Sequence, residues 1–114
     1  MSPKIALPIS DGMCYLPVES IIRVQAEGTY ARVIVESNTP SMTVCKVLKD
    51  FEKVLLQHQF LRVHRTHLVN LRHIRSFHRS DGGYLVMSNG DEVPVSRRGK
   101  DWVQQHLMEL AYRV

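Results

Sequence analysis

The stretch Ile21-Ile-Arg-Val-Gln-Ala-Glu-Gly-Thr-Tyr-Ala-Arg-Val-Ile-Val-Glu36 decides the fold class. Its two apolar runs, Ile21 to Ala26 and Tyr30 to Glu36, are rich in β-branched residues, which suit a pleated, extended backbone. Glu27-Gly28-Thr29 between them makes a tight connection, so the two runs predict an antiparallel hairpin. Upstream, Lys4 to Pro8 and Met13 to Pro17 are brief apolar stretches punctuated by Pro3, Pro8, Asp11-Gly12 and Pro17, a pattern of edge strands. Downstream, Ser37-Asn38-Thr39-Pro40 turns the chain into one more short run, Ser41 to Cys45.

Past Cys45 the period changes. Val47, Leu48, Phe51, Val54 and Leu55 recur at helical spacing, which predicts a helix over 46–57 with these residues on its buried face and Lys49, Asp50, Glu52 and Lys53 in solvent. Strand-like runs then return. Phe60 to Val63 is short, Ile74 to His78 alternates apolar and basic residues, and Ser80-Asp-Gly-Gly83 turns into Tyr84 to Ser88. Asn89-Gly90 is a two-residue hairpin signal leading to Glu92 to Val95. From Gly99 onward, Trp102, Val103, His106, Leu107 and Leu110 predict a closing amphipathic helix. Hairpins without crossovers imply mainly antiparallel sheets.

With 114 residues, 44% hydrophobic and 23% charged, the chain can bury a core and is expected to form a single domain, 1–114. Its apolar runs are far short of the about 20 residues a membrane-spanning helix needs. The start, Met1-Ser-Pro-Lys-Ile-Ala-Leu-Pro8, is too short in apolar character for a secretion signal, so a cytoplasmic location is expected. Cys14 and Cys45 are then read as reduced thiols behaving as small buried hydrophobes.

The formal charge is +4, and its distribution says more than its size. Residues 1–60 balance, whereas over 61–79 Arg62, Arg65, Arg72, Arg75 and Arg79 meet no acid. His64, His67, His73 and His78 are interleaved as further donors, and Arg97-Arg98-Gly99-Lys100 forms a second basic knot. An uncompensated positive surface repels itself unless a polyanion uses it, which makes a phosphate backbone the leading partner. The competing reading is a solvated basic face, to which Arg72, Arg75 and Arg79 are assigned.

Other chemistry finds little support. His64, His67 and His73 lack the acidic or thiol neighbours of a metal site, so no metal is expected. Ser96 stands outside any nucleophile-elbow motif, and neither paired carboxylates nor a glycine-rich phosphate loop occur, so neither enzyme activity nor a cofactor is expected. Asn70 is read as structural, satisfying loop backbone, and Phe51 and Trp102 as core residues on helix faces.

Four strings occur in the order, and nearly the wording, of a known family: Phe60-Leu-Arg-Val-His-Arg-Thr-His-Leu-Val-Asn70, His73-Ile74, Gly82-Gly-Tyr84 and Val93-Pro-Val-Ser-Arg-Arg98. The chain resembles the LytTR DNA-binding domain, the output domain of LytR/AlgR-type bacterial response regulators of two-component systems. Ala26-Glu-Gly-Thr-Tyr30 and Leu48-Lys-Asp-Phe-Glu52 fall where that family has its first DNA-facing loop and its internal helix, so the resemblance spans nearly the whole chain. It implies a mainly β, elongated arrangement of small antiparallel β-sheets with one internal helix and a C-terminal helix. It further implies sequence-specific binding of double-stranded DNA by a transcriptional regulator, with loops rather than a recognition helix in the major groove. The domain is expected to be a monomer in isolation and to pair on directly repeated half-sites.

Arginine's planar fork takes guanine O6 and N7 together. Arg65 and Arg98 match groove-entering positions of the family and are the expected base readers. Thr29 and Tyr30 fall in its first contact loop, and His64, Thr66, Arg97 and Lys100 are expected to clamp phosphates. The family commonly carries a small hydroxylic or amide residue where Arg65 stands, so its half-site sequence does not transfer. Members usually follow a phosphate-accepting receiver domain, for which 114 residues leave no room. The alternative function is a protein-interaction module whose basic face docks an acidic partner.

Overall fold

The computed structural model describes residues 3–37 and 39–114; Met1 and Ser2 of the amino-terminal reading and Asn38 of the turn at 37–40 lie outside the described residues. The proline-punctuated start forms β1 (Lys4–Ile9) and β2 (Gly12–Pro17), paired with each other alone in a two-stranded sheet. The expected hairpin follows as β3 (Ile21–Glu27) and β4 (Tyr30–Val35), and Gly28 in its turn has φ +63°. Most L side chains avoid that conformation, so glycine fits the turn. Next come β5 (Met42–Val44), α1 (Leu48–Leu55), β6 (Phe60–His64) and β7 (His67–Asn70). The chain closes with β8 (Ile74–His78), β9 (Tyr84–Met87), β10 (Glu92–Pro94) and α2 (Lys100–Leu110).

All pairings are antiparallel, in a five-stranded sheet of order β5-β4-β3-β7-β6 and a three-stranded sheet of order β10-β9-β8. The large sheet is covered on both faces. On one side Val24, Val33, Phe60 and Leu68 pack against Ile5 and Leu7 of β1 and Leu48, Phe51 and Leu55 of α1. On the other, Ile22, Leu61, Val63 and Val69 pack against Leu85, Met87, Val93 and Val103 from the small sheet and α2. The molecule measures 46 × 33 × 26 Å, as the elongated reading expects.

Several expectations change. The internal helix is shorter than 46–57: Val47 is its N-cap, and Val47 and Val54 are exposed, so Leu48, Phe51 and Leu55 alone form its buried stripe. Strand β7 was not expected, because His67-Leu-Val-Asn70 does not alternate. A strand buried on both faces reads as a continuous apolar run, and Leu68 and Val69 face opposite cores. The Asn89-Gly90 turn holds four residues between β9 and β10, with Asn89 Oδ1 accepting from Asp91 N at 3.0 Å. Trp102 is not core: α2 presents Val103 inward, and Trp102 stays 56% exposed. Leu110 is likewise exposed. Both cysteines are free, but Cys45 is exposed rather than buried.

Candidate nucleic-acid interface

Three loops meet along one end of the large sheet. The β3–β4 turn carries Thr29, with Tyr30 beside it at the start of β4, both exposed, and Ala26 N near the end of β3 donates to Thr66 O at 2.9 Å. That bond ties the turn to the β6–β7 loop, which holds Arg65 and Thr66. On the far side of β6, Ser96 N donates to Val63 O at 2.8 Å, bringing in the segment that carries Arg97 and Arg98. The three loops therefore stand in sheet order, in one row. Between the second and third lies a cleft of about 340 Å³ whose walls include Glu52, Arg62, Arg65, Ser96 and Trp102.

Within this row His64 is preset as a donor. The Thr66 backbone N–H donates to His64 Nδ1 at 3.2 Å, with Thr66 Oγ1 2.9 Å from the same nitrogen. An amide nitrogen can only donate, so Nδ1 accepts and the ring proton sits on Nε2. Thr66 thus uses its amide, its carbonyl and its hydroxyl inside the protein. Arg65 is held by its backbone: Arg62 Nη2 donates to Arg65 O at 2.6 Å while Nη1 of the same guanidinium binds Glu52 Oε1 at 3.0 Å. The brace from α1 leaves the Arg65 side chain free. Among the described residues, the guanidinium groups of Arg65, Arg97 and Arg98 have no hydrogen-bond or ion-pair partner. Lys100 lays its stem on Gly83 of the β8–β9 turn, where a Cβ would stand 2.6 Å from Lys100 Cδ.

The basic segment is less uniform in space than in sequence. Distant acids compensate Arg62, through Glu52, and Arg79, through Asp101 at 2.9 Å. Three of its four histidines are not free donors. His73 bridges Ser88 Oγ and Glu19 O, each at 2.8 Å, and His78 contacts Ser76 Oγ at 2.8 Å while stacking on Tyr84. His67 lies edge-on to His64, with a buried Nδ1 that has no partner. Burial, aided by the charge of Arg23 and by His64, pushes its pKa down to about 4. Asn70 is fully buried and structural as read, donating to Ile21 O at 2.9 Å and accepting from Arg72 N at 3.0 Å.

The model of the LytTr DNA-binding domain family matches residues 11–108. This chain belongs to that family. DNA binding in the service of transcription regulation is the activity that membership supports. Among curated relatives, the CO-responsive transcriptional regulator RcoM of Rhodospirillum rubrum is 36% identical over 98 residues, covering 82% of this chain and 40% of RcoM. The sensory transduction protein LytT of Bacillus cereus is 32% identical over 96 residues, 82% of this chain and 38% of LytT. The chain thus spans about two fifths of the curated relatives it matches. A solved LytTr DNA-binding domain of a putative methyl-accepting/DNA response regulator from Bacillus cereus superposes with a TM-score of 0.77. It is 27% identical and covers 95% of this chain and 98% of its own.

In this LytTR chain, sequence reasoning missed the Glu52–Arg62 brace and the exposed Trp102. The first depends on sheet register and left no local signal. The second had one: Trp102 and Val103 are adjacent on α2, and its narrow inward stripe takes Val103 and Leu107. Trp102 instead stacks on His106 at 5.6 Å and walls the cleft beside Arg65.

Proposed function

We propose that this LytTR domain binds double-stranded DNA sequence-specifically by laying its row of three loops on the duplex. The observation that carries the reading is the alignment of Arg65, Arg97 and Arg98, free of internal partners, along one edge pinned by the Ala26–Thr66 and Ser96–Val63 bonds. Arg65 and Arg98 read base edges in the major groove. His64 Nε2–H, Arg97 and Lys100 hold phosphates, and Thr29 and Tyr30 extend the contact from the β3–β4 turn. Thr66 serves mainly by fixing His64, with its exposed side of the loop against the backbone. The domain is monomeric when free and occupies directly repeated half-sites side by side, since its apolar helical stripes face its own cores.

Selection of bound duplexes from a random pool, followed by sequencing, tests this. The expected result is a repeated motif whose binding resists scrambled duplex by a factor of about 10³ or more. A pool that stays random, with binding lost equally to any duplex, would leave the basic edge as a docking face for an acidic protein.

A further inference from the structure

The unpartnered arginines fall in two places. Arg65, Arg97 and Arg98 belong to the loop row, whereas Arg72 and Arg113, also without an ion pair or side-chain hydrogen bond among the described residues, lie elsewhere. With Arg75 they border a groove of about 530 Å³ between β8 and the carboxyl-terminal half of α2. Its floor is Leu71, Ile74, Phe77 and Leu107, half-buried side chains resting on the second core. Met108 and Leu110 form an exposed apolar wall. No acidic residue lines it.

The groove sits at the end of the sheet opposite the loop row. Gln59, which lines it, precedes β6, and Leu71 follows β7, while the loop row begins at the other ends of both strands. Strand β6 alone separates the two by about 13 Å at 3.3 Å per residue. A duplex on the loops therefore leaves the groove open.

We infer that this groove docks an acidic peptide segment of a protein partner, with apolar side chains on the floor and carboxylates on Arg72, Arg75 and Arg113. The chemistry favours a peptide over a second stretch of nucleic acid. An apolar floor rewards apolar anchors, and it strips water from phosphates without replacing their hydrogen bonds. Guanidinium forks around that floor match carboxylates bidentately, and three like charges with no internal acid select for that sign. Arg75 also donates to Ser88 O at 2.6 Å, which holds its head at the rim without neutralising it. The inference concerns a different face from the DNA reading and does not depend on it.

The test is selection of displayed random 12-residue peptides on the immobilised full chain, with affinities of enriched peptides measured by fluorescence anisotropy. Enriched peptides are expected to combine several Asp or Glu with large apolar residues. The double variant Arg72→Gln/Arg75→Gln should weaken them by about tenfold or more, and Met108→Glu should weaken them too. Saturating mixed-sequence duplex should leave them bound. The inference is overturned by enrichment of basic or uncharged peptides, by no enrichment, or by binding indifferent to the double variant. It is overturned equally by displacement with duplex, or by a self-association in sedimentation that the double variant abolishes. Loss of DNA binding with peptide capture intact would count against the DNA reading alone.

Discussion

Arg65 and Arg98 are separated from half of the other arginines of the chain by what does not hold them. Arg23, Arg32, Arg62 and Arg79 are each paired with a carboxylate within 3.0 Å, so their guanidinium groups are engaged before any ligand arrives. A free fork on a braced backbone is suited to bidentate reading of guanine. Arg65→Ala and Arg98→Ala are each expected to lose about 1 to 3 kcal/mol of specific binding and to relax preference at one base position, while Lys100→Ala weakens all sequences alike. Titration of matched and mismatched duplexes separates the outcomes, and uniform weakening by both arginine variants would make them phosphate contacts. His67 gives a pH prediction. Its pKa is about 4 in the folded chain, against 6.5 for an ordinary histidine. Between those values the unfolded chain binds a proton that the folded chain refuses, so stability falls as pH drops from 6.5 toward 4 and is complete above 6.5. His67→Phe removes both the titration and the unpartnered Nδ1. Urea unfolding at pH 7 and pH 5 should show a smaller difference for the variant than for the parent.

Among the elements, α1 does two things: its inner stripe closes the first core, and Glu52 on its flank steadies the β6–β7 loop through Arg62. A partly exposed ion pair contributes little to stability, about 0 to 1 kcal/mol, so Glu52→Ala, which leaves Arg62 Nη1 without its acceptor, should barely move the melting temperature. DNA affinity should still drop, because Arg65 loses its fixed anchor. Hydrogen exchange at Thr66 should quicken in the same variant, and unchanged exchange with unchanged affinity would refute the brace. Strand β7 carries the opposite expectation. Leu68 is fully buried between β3 and β6, so Leu68→Ala should cost about 2 to 5 kcal/mol of stability, read by denaturant unfolding. The two elements also mark what the sequence could reveal. The β3–β4 hairpin showed its turn and its β-branched runs plainly, and β8 showed its alternation of apolar and basic residues before the Asp81-Gly-Gly83 turn. Strand β7 did not, since burial on both faces erases the alternation that identifies a strand. The proposed site was legible as a set of segments, the Val63–Thr66 and Ser96–Arg98 strings, because those strings carry the resemblance to the family. Which of the basic residues stayed free was not legible: Glu52 reaches Arg62 and Asp101 reaches Arg79 only through tertiary register.

At the scale of the whole molecule, the row of loops sets the shape of any complex. From β4 through β3, β7 and β6 to the Ser96 segment there are four lateral steps, and at about 4.8 Å each the row is about 19 Å long. A major groove is about 12 Å wide. The row therefore exceeds one groove if it lies across it. Strands also rotate by about 20° from one to the next, so the loops at the two ends aim in different directions and do not share a plane. A straight duplex can meet the central loop, with Arg65, and one end, but it turns away from the other. For Thr29 and Tyr30 to bind together with Arg97 and Arg98, the duplex has to curve toward the protein. Bending a site of this size costs about 1 to 6 kcal/mol, which contacts from Thr29 and Tyr30 at one end, Arg65 at the centre and Arg97, Arg98 and Lys100 at the other end can offset, and the cost depends on flexible steps that no side chain touches. The expected complex is bent, with base preference at uncontacted central positions. Circular-permutation gel mobility reads this directly: mobility should vary with the position of the site within the fragment. Constant mobility would mean a straight duplex, and with it that Thr29 and Tyr30 stand off the DNA while the arginine loops bind.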